Sequence, residues 1–402
     1  MSKKTKKDSE LQGITHLLVD ATIGITDLVE DMQKQIVHPS FLPSTPIQKL
    51  ITTIAGITYQ NIRWGTLFIG KSLHKILEQL TPAIGQIKAS DKKEIILSVL
   101  NGVIGDYLEE KENPLKIEMQ FRYRLKSILL DGKYLKETYP NVNGKILLML
   151  HGSCMNDIQW TRKEHNHGNI IAKELNKTPI YLNYNSGRHI STNGKNLNNC
   201  LEELVKNWPV PIEELVIIAH SMGGLVARSA LYYGGQEQKN WTKHLKKMVF
   251  LGTPHHGSHV ERKGNYLDII LEAIPYVKPF ARLGKIRSAG VTDLRYGNLV
   301  DGDWQDNDRF ERKTDQRQHI PLPKQIEFYS IAAVIGKKTT TVSAKILGDT
   351  LVDVNSALGQ HKNPDKSLLF KKENSWIVYE NNHLDLLSNP KIIEKIKEWL
   401  IL

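Results

Sequence analysis

Leu215-Val-Ile-Ile-Ala-His-Ser-Met-Gly-Gly-Leu225 begins as an unbroken apolar run and continues as helix-forming sequence, with Ser221 at the change. A serine hydroxyl becomes a useful nucleophile only when it stands clear of the backbone beside a base. A tight strand-to-helix turn lifts it there if the residues two before and two after are small. Here they are Ala219 and Gly223. The usual pattern for such a turn is G-x-S-x-G, so Ala219 departs from it while still meeting the steric demand. The reading without chemistry is a serine in a structural turn.

The remaining parts of a catalytic set follow in the order such a turn predicts: serine, acid, histidine. Asp349, in Leu-Gly-Asp-Thr-Leu-Val (347–352), follows the apolar segment Phe328–Ile335 and has Gly348 beside it to help the chain turn. His383 lies in Glu-Asn-Asn-His-Leu-Asp (380–385), after a strand-like Trp376–Tyr379 and before the last helix. Upstream, Lys145-Ile-Leu-Leu-Met-Leu150 runs into His151-Gly152-Ser153-Cys154. A glycine at that strand end lets backbone N–H groups face a reacting carbonyl oxygen. The N–H groups of Ser153 and Met222 are the expected oxyanion donors.

These pieces resemble the α/β-hydrolase fold of lipases and esterases, especially bacterial lipases and the hydrolase domain of GPI inositol-deacylase-like proteins. The matching stretches are His151-Gly152, Ala219–Gly224, Leu-Gly-Thr-Pro-His-His-Gly-Ser at 251–258, Gly-Asp-x-Leu-Val at 348–352 and Asn-His-Leu-Asp at 382–385. They cover roughly the segment from Lys145 to the C-terminus. The resemblance implies Ser221 as nucleophile, His383 as general base and then acid, and Asp349 as the group that orients and stabilises the imidazolium. The implied reaction is transfer of an acyl group from an ester, lipid-like in character, to water. An acyltransferase or an amidase would use the same residues, and a helical tethering protein with an inactive hydrolase-like domain is the non-enzymatic alternative.

Nearby residues compete for these roles. Asp353 is a second candidate acid, whereas Asp385 is read as the cap of the final helix, whose body begins near Pro390. In some bacterial lipases the corresponding aspartate binds calcium together with an upstream acid. No acidic residue stands between Tyr329 and Gly348, so no metal is carried over and no cofactor is expected. His151, His220, His255 and His256 are read as packing and loop-bracing residues. His165 and His167 lack a nearby third ligand and are read as a solvated loop. The Asp301–Asp308 stretch has its glycine at the second position and fails the EF-hand template.

With 402 residues and 40% hydrophobic content, one large α/β domain plus an appendage is expected. The boundaries expected are 1–112 for an N-terminal helical region and 113–402 for the hydrolase domain, with a cap insertion about 259–323. Helical spacing marks Leu11 to Ile36, then Ile47–Ile54 on towards Leu80, including Trp64–Gly70, and finally Lys92–Lys111. Strands are expected near 117–123, 145–150, 179–183, 215–220, 247–251, 326–332 and 375–379, giving a mostly parallel sheet. Helices are expected near 196–206, 222–233 and 390–401. Within the cap, Leu267–Ala273 and Tyr276–Leu283 supply apolar faces, and polar Asp301–Gln318 reads as a mobile loop.

Only Cys154 and Cys200 are present, which argues against a disulfide framework. The basic start is interrupted by His16, Asp20 and Asp27, so no secretion signal is expected and a cytoplasmic location follows. The net charge of +11 raises nucleic acid and anionic membrane as partners. No zinc finger, basic zipper or stacking-aromatic signature accompanies the scattered lysines, so nucleic acid is set aside. Peripheral association with an anionic membrane, at the inner face, stays as an expectation. No segment offers about 18 uninterrupted apolar residues for a span.

Overall fold

Val, Ile and Leu in unbroken runs form strands that are buried on both faces, which only a sheet covered on each side can accommodate. The computed structural model describes residues 90–272, 287–306, 309, 314–337 and 348–402, with 77, 81, 82 and 84 besides. Among the described residues, eight strands form the main sheet: β1 (Gln120–Tyr123), β2 (Lys126–Ser127), β3 (Lys145–Leu150), β6 (Thr178–Asn183), β7 (Glu214–His220), β8 (Leu245–Leu251), β9 (Glu327–Val334) and β10 (Ser375–Tyr379). The short β4 (Thr161–Arg162) and β5 (His165–Asn166) pair separately. The sheet runs β10-β9-β8-β7-β3-β6-β1-β2. β6, β3, β7, β8, β9 and β10 are mutually parallel, whereas β1 runs antiparallel to β6 and β2.

Alternation along the strands builds two cores. Leu215, Ile217 and Ala219 of β7, with Ile146, Leu148 and Leu150 of β3, pack towards Leu197, Leu201 and Leu225 of helices Ile190–Asn207 and Met222–Gln236. Val216, Ile218, Leu147 and Met149 face the other way, onto Ile171, Ile392, Ile396 and Trp399 of helices His167–Glu174 and Pro390–Ile401. The chain after β3 goes to β6 on one side, then returns to β7 on the other. The carboxyl ends of β3 and β7 therefore flank the switch point at which open α/β sheets place their sites.

Every strand expected from the sequence is present, with ends shifted by a few residues. Helices Gly132–Thr138 and His167–Glu174 and the β4–β5 ribbon lacked a sequence signal long enough to read. Helix Asp91–Glu110 agrees with the expected third N-terminal helix, and its buried face shares the first core with the sheet. The expected division at 112 thus falls immediately after a helix packed into the hydrolase core. The earlier patterns at 11–36, 47–54 and 64–70 lie outside the described residues. No helix among the described residues is long and apolar enough to cross a membrane.

Two expectations need correction. The final helix is capped by Asn389, whose side chain accepts from Lys391 N–H, and not by Asp385. Asp385 instead closes its own short turn by accepting from Asn382 N–H, and Lys163 reaches it at 3.2 Å. The described parts of 301–318 are tied to the body and are not a free loop. Lys195 pairs with Asp301, Trp304 Nε1 donates to Ser191, and the Asp303 carboxylate accepts from the amides of Leu299, Val300 and Gln318. The polar side chains that suggested solvent serve as anchors.

Candidate active site

Ser221 sits in the single residue between β7 and helix Met222–Gln236, with φ +53 and ψ −125. That conformation costs a non-glycine residue of order 1–3 kcal/mol and persists only where its surroundings enforce it. They do so here. Ser221 N–H donates to Leu251 O at 2.8 Å, and Gly224 N–H donates back to Ser221 O at 3.1 Å. Gly223 lies against the end of β3: a Cβ there would stand 2.5 Å from His151 O and 2.9 Å from Leu150 O. Ala219, in the position more often glycine, pairs with Leu150 and Phe250 and is fully buried.

Asp349 and His383 meet. His383 Nδ1 lies 2.6 Å from Asp349 Oδ2, and both side chains are buried. The other carboxylate oxygen accepts from Leu351 and Val352 N–H at 3.0 and 2.9 Å. With all its oxygens engaged, the carboxylate is fixed in orientation. His383 N–H donates to Asp349 O at 3.3 Å, so the two loops are joined by backbone as well as by side chain. Asp353, the competing acid, is turned elsewhere, to His259 at 2.9 Å and Arg262 at 3.7 Å.

The imidazole of His383 lies over Gly252, where a Cβ would come 3.0 Å from its Cε1. Gly252 immediately follows Leu251, whose carbonyl holds the Ser221 amide. The acid–imidazole pair is thus brought to the serine elbow through the end of β8. His383 Nε2 and Ser221 Oγ are both buried and have no hydrogen-bond partner, so they are not bonded to each other in this state.

On the other flank, Gly152 crosses the serine so closely that a Cβ there would stand 3.0 Å from Ser221 Cβ. Ser153 is wholly buried next to it, and the Cys154 amide is committed to Ser186 Oγ at 3.0 Å. The Ser153 amide therefore precedes a loop pinned at Cys154. Met222 is the first residue of its helix, where N–H groups lack intrahelical acceptors. Burial pushes the Cys154 thiol up to about 12, so it stays protonated and is no competing nucleophile.

The histidines read as packing residues have specific partners. His151 stacks on Tyr184, whose hydroxyl donates to His151 O at 2.9 Å, and burial lowers the imidazole to about 4. His220 Nε2 lies 3.2 Å from His383 O, and burial beside His383 holds His220 neutral as an N–H donor. His256 N–H donates to Ser356, and Ser258 Oγ donates to Leu351 O at 2.5 Å, which ties the 251–258 stretch to the Asp349 loop. His165 Nε2 meets His167 Nδ1 at 2.7 Å, and His167 Nε2 meets Leu386 O; this pair is partly buried and bonded, not a solvated loop. No group of three or more His, Cys, Asp or Glu side chains among the described residues is placed to hold a metal ion.

One residue of the cap escaped the sequence reading. Tyr266, first in cap helix Tyr266–Glu272, is fully buried, and its hydroxyl has no partner. No motif surrounds it, and its apolar neighbours mark only a buried helix.

Residues 141–320 match the family model described as PGAP1-like alpha/beta domain. The chain has the α/β-hydrolase fold. Among solved structures, it is similar to the mature lipase BlEst2 of Bacillus licheniformis, with 17% identity and a TM-score of 0.40 over 64% of this chain and 92% of that one. It is also similar to the esterase Pf2001 of Pyrococcus furiosus, with 14% identity and a TM-score of 0.39 over 65% and 82% of the respective chains. The phospholipase PlaB of Legionella pneumophila aligns at 14% identity and a TM-score of 0.35, over 53% of this chain and 45% of that one. No curated protein matches the sequence.

Proposed function

We propose that the chain is a serine hydrolase of carboxylic esters, with Ser221 as nucleophile, His383 as base and acid, and Asp349 as the orienting acid. The observation that carries this reading is a buried acid–imidazole pair, 2.6 Å apart, delivered to the elbow of a buried and unpartnered serine hydroxyl. With Nδ1–H held by Asp349, the free Nε2 lone pair is the proton acceptor for Ser221 as its oxygen attacks the ester carbonyl. The imidazolium that forms is stabilised by the carboxylate. The N–H groups of Ser153 and Met222 hold the developing oxyanion, the alcohol leaves with the proton from His383, and water then repeats the sequence on the acyl-enzyme. Catalytic hydrogen bonds that are long in the free enzyme tighten when substrate is seated.

A lipid-like ester is supported by the cap, where Leu267, Ile270 and Leu271 turn an apolar helix face inward beside Tyr266. The net charge of +11 supports attraction to an anionic lipid surface, at about 1 kcal/mol per well-placed lysine or arginine. We propose the division at 112 and the cap at about 259–323 as functional units only, since helix Asp91–Glu110 packs on the sheet.

The test is a fluorophosphonate probe on the purified full chain, followed by p-nitrophenyl esters of increasing acyl length. The probe is expected to label wild type at Ser221 and to leave Ser221→Ala unlabelled. Ser221 Oγ has no hydrogen bond to lose, so the variant is expected to keep the wild-type melting temperature. Full ester hydrolysis by Ser221→Ala would refute the assignment of nucleophile.

A further inference from the structure

The residue before Ser221 reaches across to the loop that carries His383. His220 ends β7 and is wholly buried, and its Nε2 lies 3.2 Å from the carbonyl oxygen of His383. A carbonyl oxygen only accepts, so Nε2 bears the proton and donates. Burial holds the ring neutral and leaves it that single proton. Among the described residues no other donor reaches His383 O. The bond completes a bracket around His383. Its N–H donates to Asp349 O at 3.3 Å, its Nδ1 meets Asp349 Oδ2 at 2.6 Å, and its carbonyl is held by His220. The first two contacts fix the imidazole relative to the acid, whereas the third ties it to the strand that ends at the serine.

The His220 ring is itself confined. A Cβ on Gly152 would come 3.0 Å from His220 Nδ1 and 3.0 Å from Ser221 Cβ, so the chain after β3 lies against both residues. The His383 imidazole lies against the ring as well, with centroids 4.7 Å apart and planes tilted by 47°. The loop beyond His383 is held by other groups: Asp385 accepts from Asn382 N–H, and Leu386 O meets His167 Nε2 at 2.9 Å. His383 Nε2 and Ser221 Oγ are not bonded to each other, so the gap between them is set by how their two segments are anchored. A displacement near 1 Å in such a pair costs about 10²-fold in rate.

On this geometry, and resting on the reading of Ser221 as nucleophile and His383 as base, we propose that His220 is a positioning residue. Its Nε2–H anchors the His383 peptide to β7 and so sets the reach of the base to Ser221 Oγ. It takes no proton during the reaction and acts only through the backbone of His383. The residue that precedes the nucleophile thereby holds the base, 163 positions further along the chain, in register with it.

The experiment compares full-length wild type with His220→Gln, His220→Asn and His220→Phe in burst kinetics with a p-nitrophenyl ester. Gln sets an amide N–H at the reach of Nε2, Asn stops short of it, and Phe keeps a ring without a donor. Burst amplitude counts folded, competent sites and burst rate reads the chemistry at each, so a loss of folding and a loss of positioning separate. The rate is expected to fall about 10²-fold in His220→Asn and His220→Phe, with KM within about threefold, and to stay within about tenfold of wild type in His220→Gln. Amplitudes that fall at an unchanged rate, or equal slowing by Asn and Gln, would overturn the proposal by leaving His220 as packing. Should His220→Phe not fold, the comparison of Asn with Gln decides by itself. Fluorophosphonate labelling of wild type separates the two levels. If wild type labels at Ser221 and the variants keep its burst rate, only the His220 proposal fails; if wild type does not label, the serine reading itself fails.

Discussion

Asp349→Asn isolates the electrostatic part of the site. Asn preserves the shape and the oxygen that accepts from Leu351 and Val352 N–H, so the loop keeps both anchors. The change falls on the atom 2.6 Å from His383 Nδ1, where an acceptor becomes an N–H donor. The imidazole must then present its Nδ1 lone pair to the amide and carry its proton on Nε2, towards Ser221, which removes the base. The wrong tautomer in such a set costs about 10⁴ in kcat, or roughly 5.5 kcal/mol of transition-state stabilisation. Asp349→Ala would confuse the result by stripping the acceptor from two buried amides, at about 1–3 kcal/mol each. The assay is the burst of p-nitrophenolate from an ester, with the melting temperature measured in parallel. Asp353→Asn is the control, since that carboxylate pairs with His259 and Arg262, and kcat is expected to stay within about threefold of wild type. Retention of more than about a tenth of wild-type kcat by Asp349→Asn would refute the mechanism derived from the pair.

Two further outcomes follow from the same geometry. Gly223→Ala would drive a Cβ to within 2.5 Å of His151 O, forcing the elbow away from the end of β3 and the loop after it. Overpacking of this kind costs about 1–3 kcal/mol of stability, and a displacement near 1 Å costs about 10²-fold in rate; thermal melts and burst kinetics on one sample would read both. Burial of Glu261 in the cap raises its carboxyl to about 7, against the lowering by Arg287 and Arg295. The folded chain therefore holds a proton that the unfolded chain releases near its ordinary value of 4.5. Stability from this group is fully present below about 4.5 and declines as pH rises through about 7. Glu261→Gln is expected to flatten that segment of a melting-temperature profile, and a profile of unchanged slope would reject the raised carboxyl.

The parts that chemistry forces into short motifs were legible in the sequence. An elbow needs small residues at fixed offsets, so Ala219, Ser221 and Gly223 are marked by spacing alone, and burial on both faces makes the central strands β3 and β7 apolar runs. Asp349 differs from Asp353 in sequence by its Gly-Asp-x-Leu-Val motif, and the two carboxylates turn to different partners, His383 and His259. Asp385 misled because an acid shortly before a helix looks like a cap. Asn389 took that role because it stands immediately before Pro390, where its side chain reaches the first free N–H groups.

What the sequence determined by itself was the fold class, and it singled out the three residues proposed for the chemistry, because local sterics and periodicity act over a few residues. Only the tertiary structure decided which groups share a volume. It joined the loops of Asp349 and His383 and set helix Asp91–Glu110 against the loop after β3, where Gly102 abuts Cys154. Such contacts arise from elements folding back on one another across a sheet, and no pattern along the chain announces them.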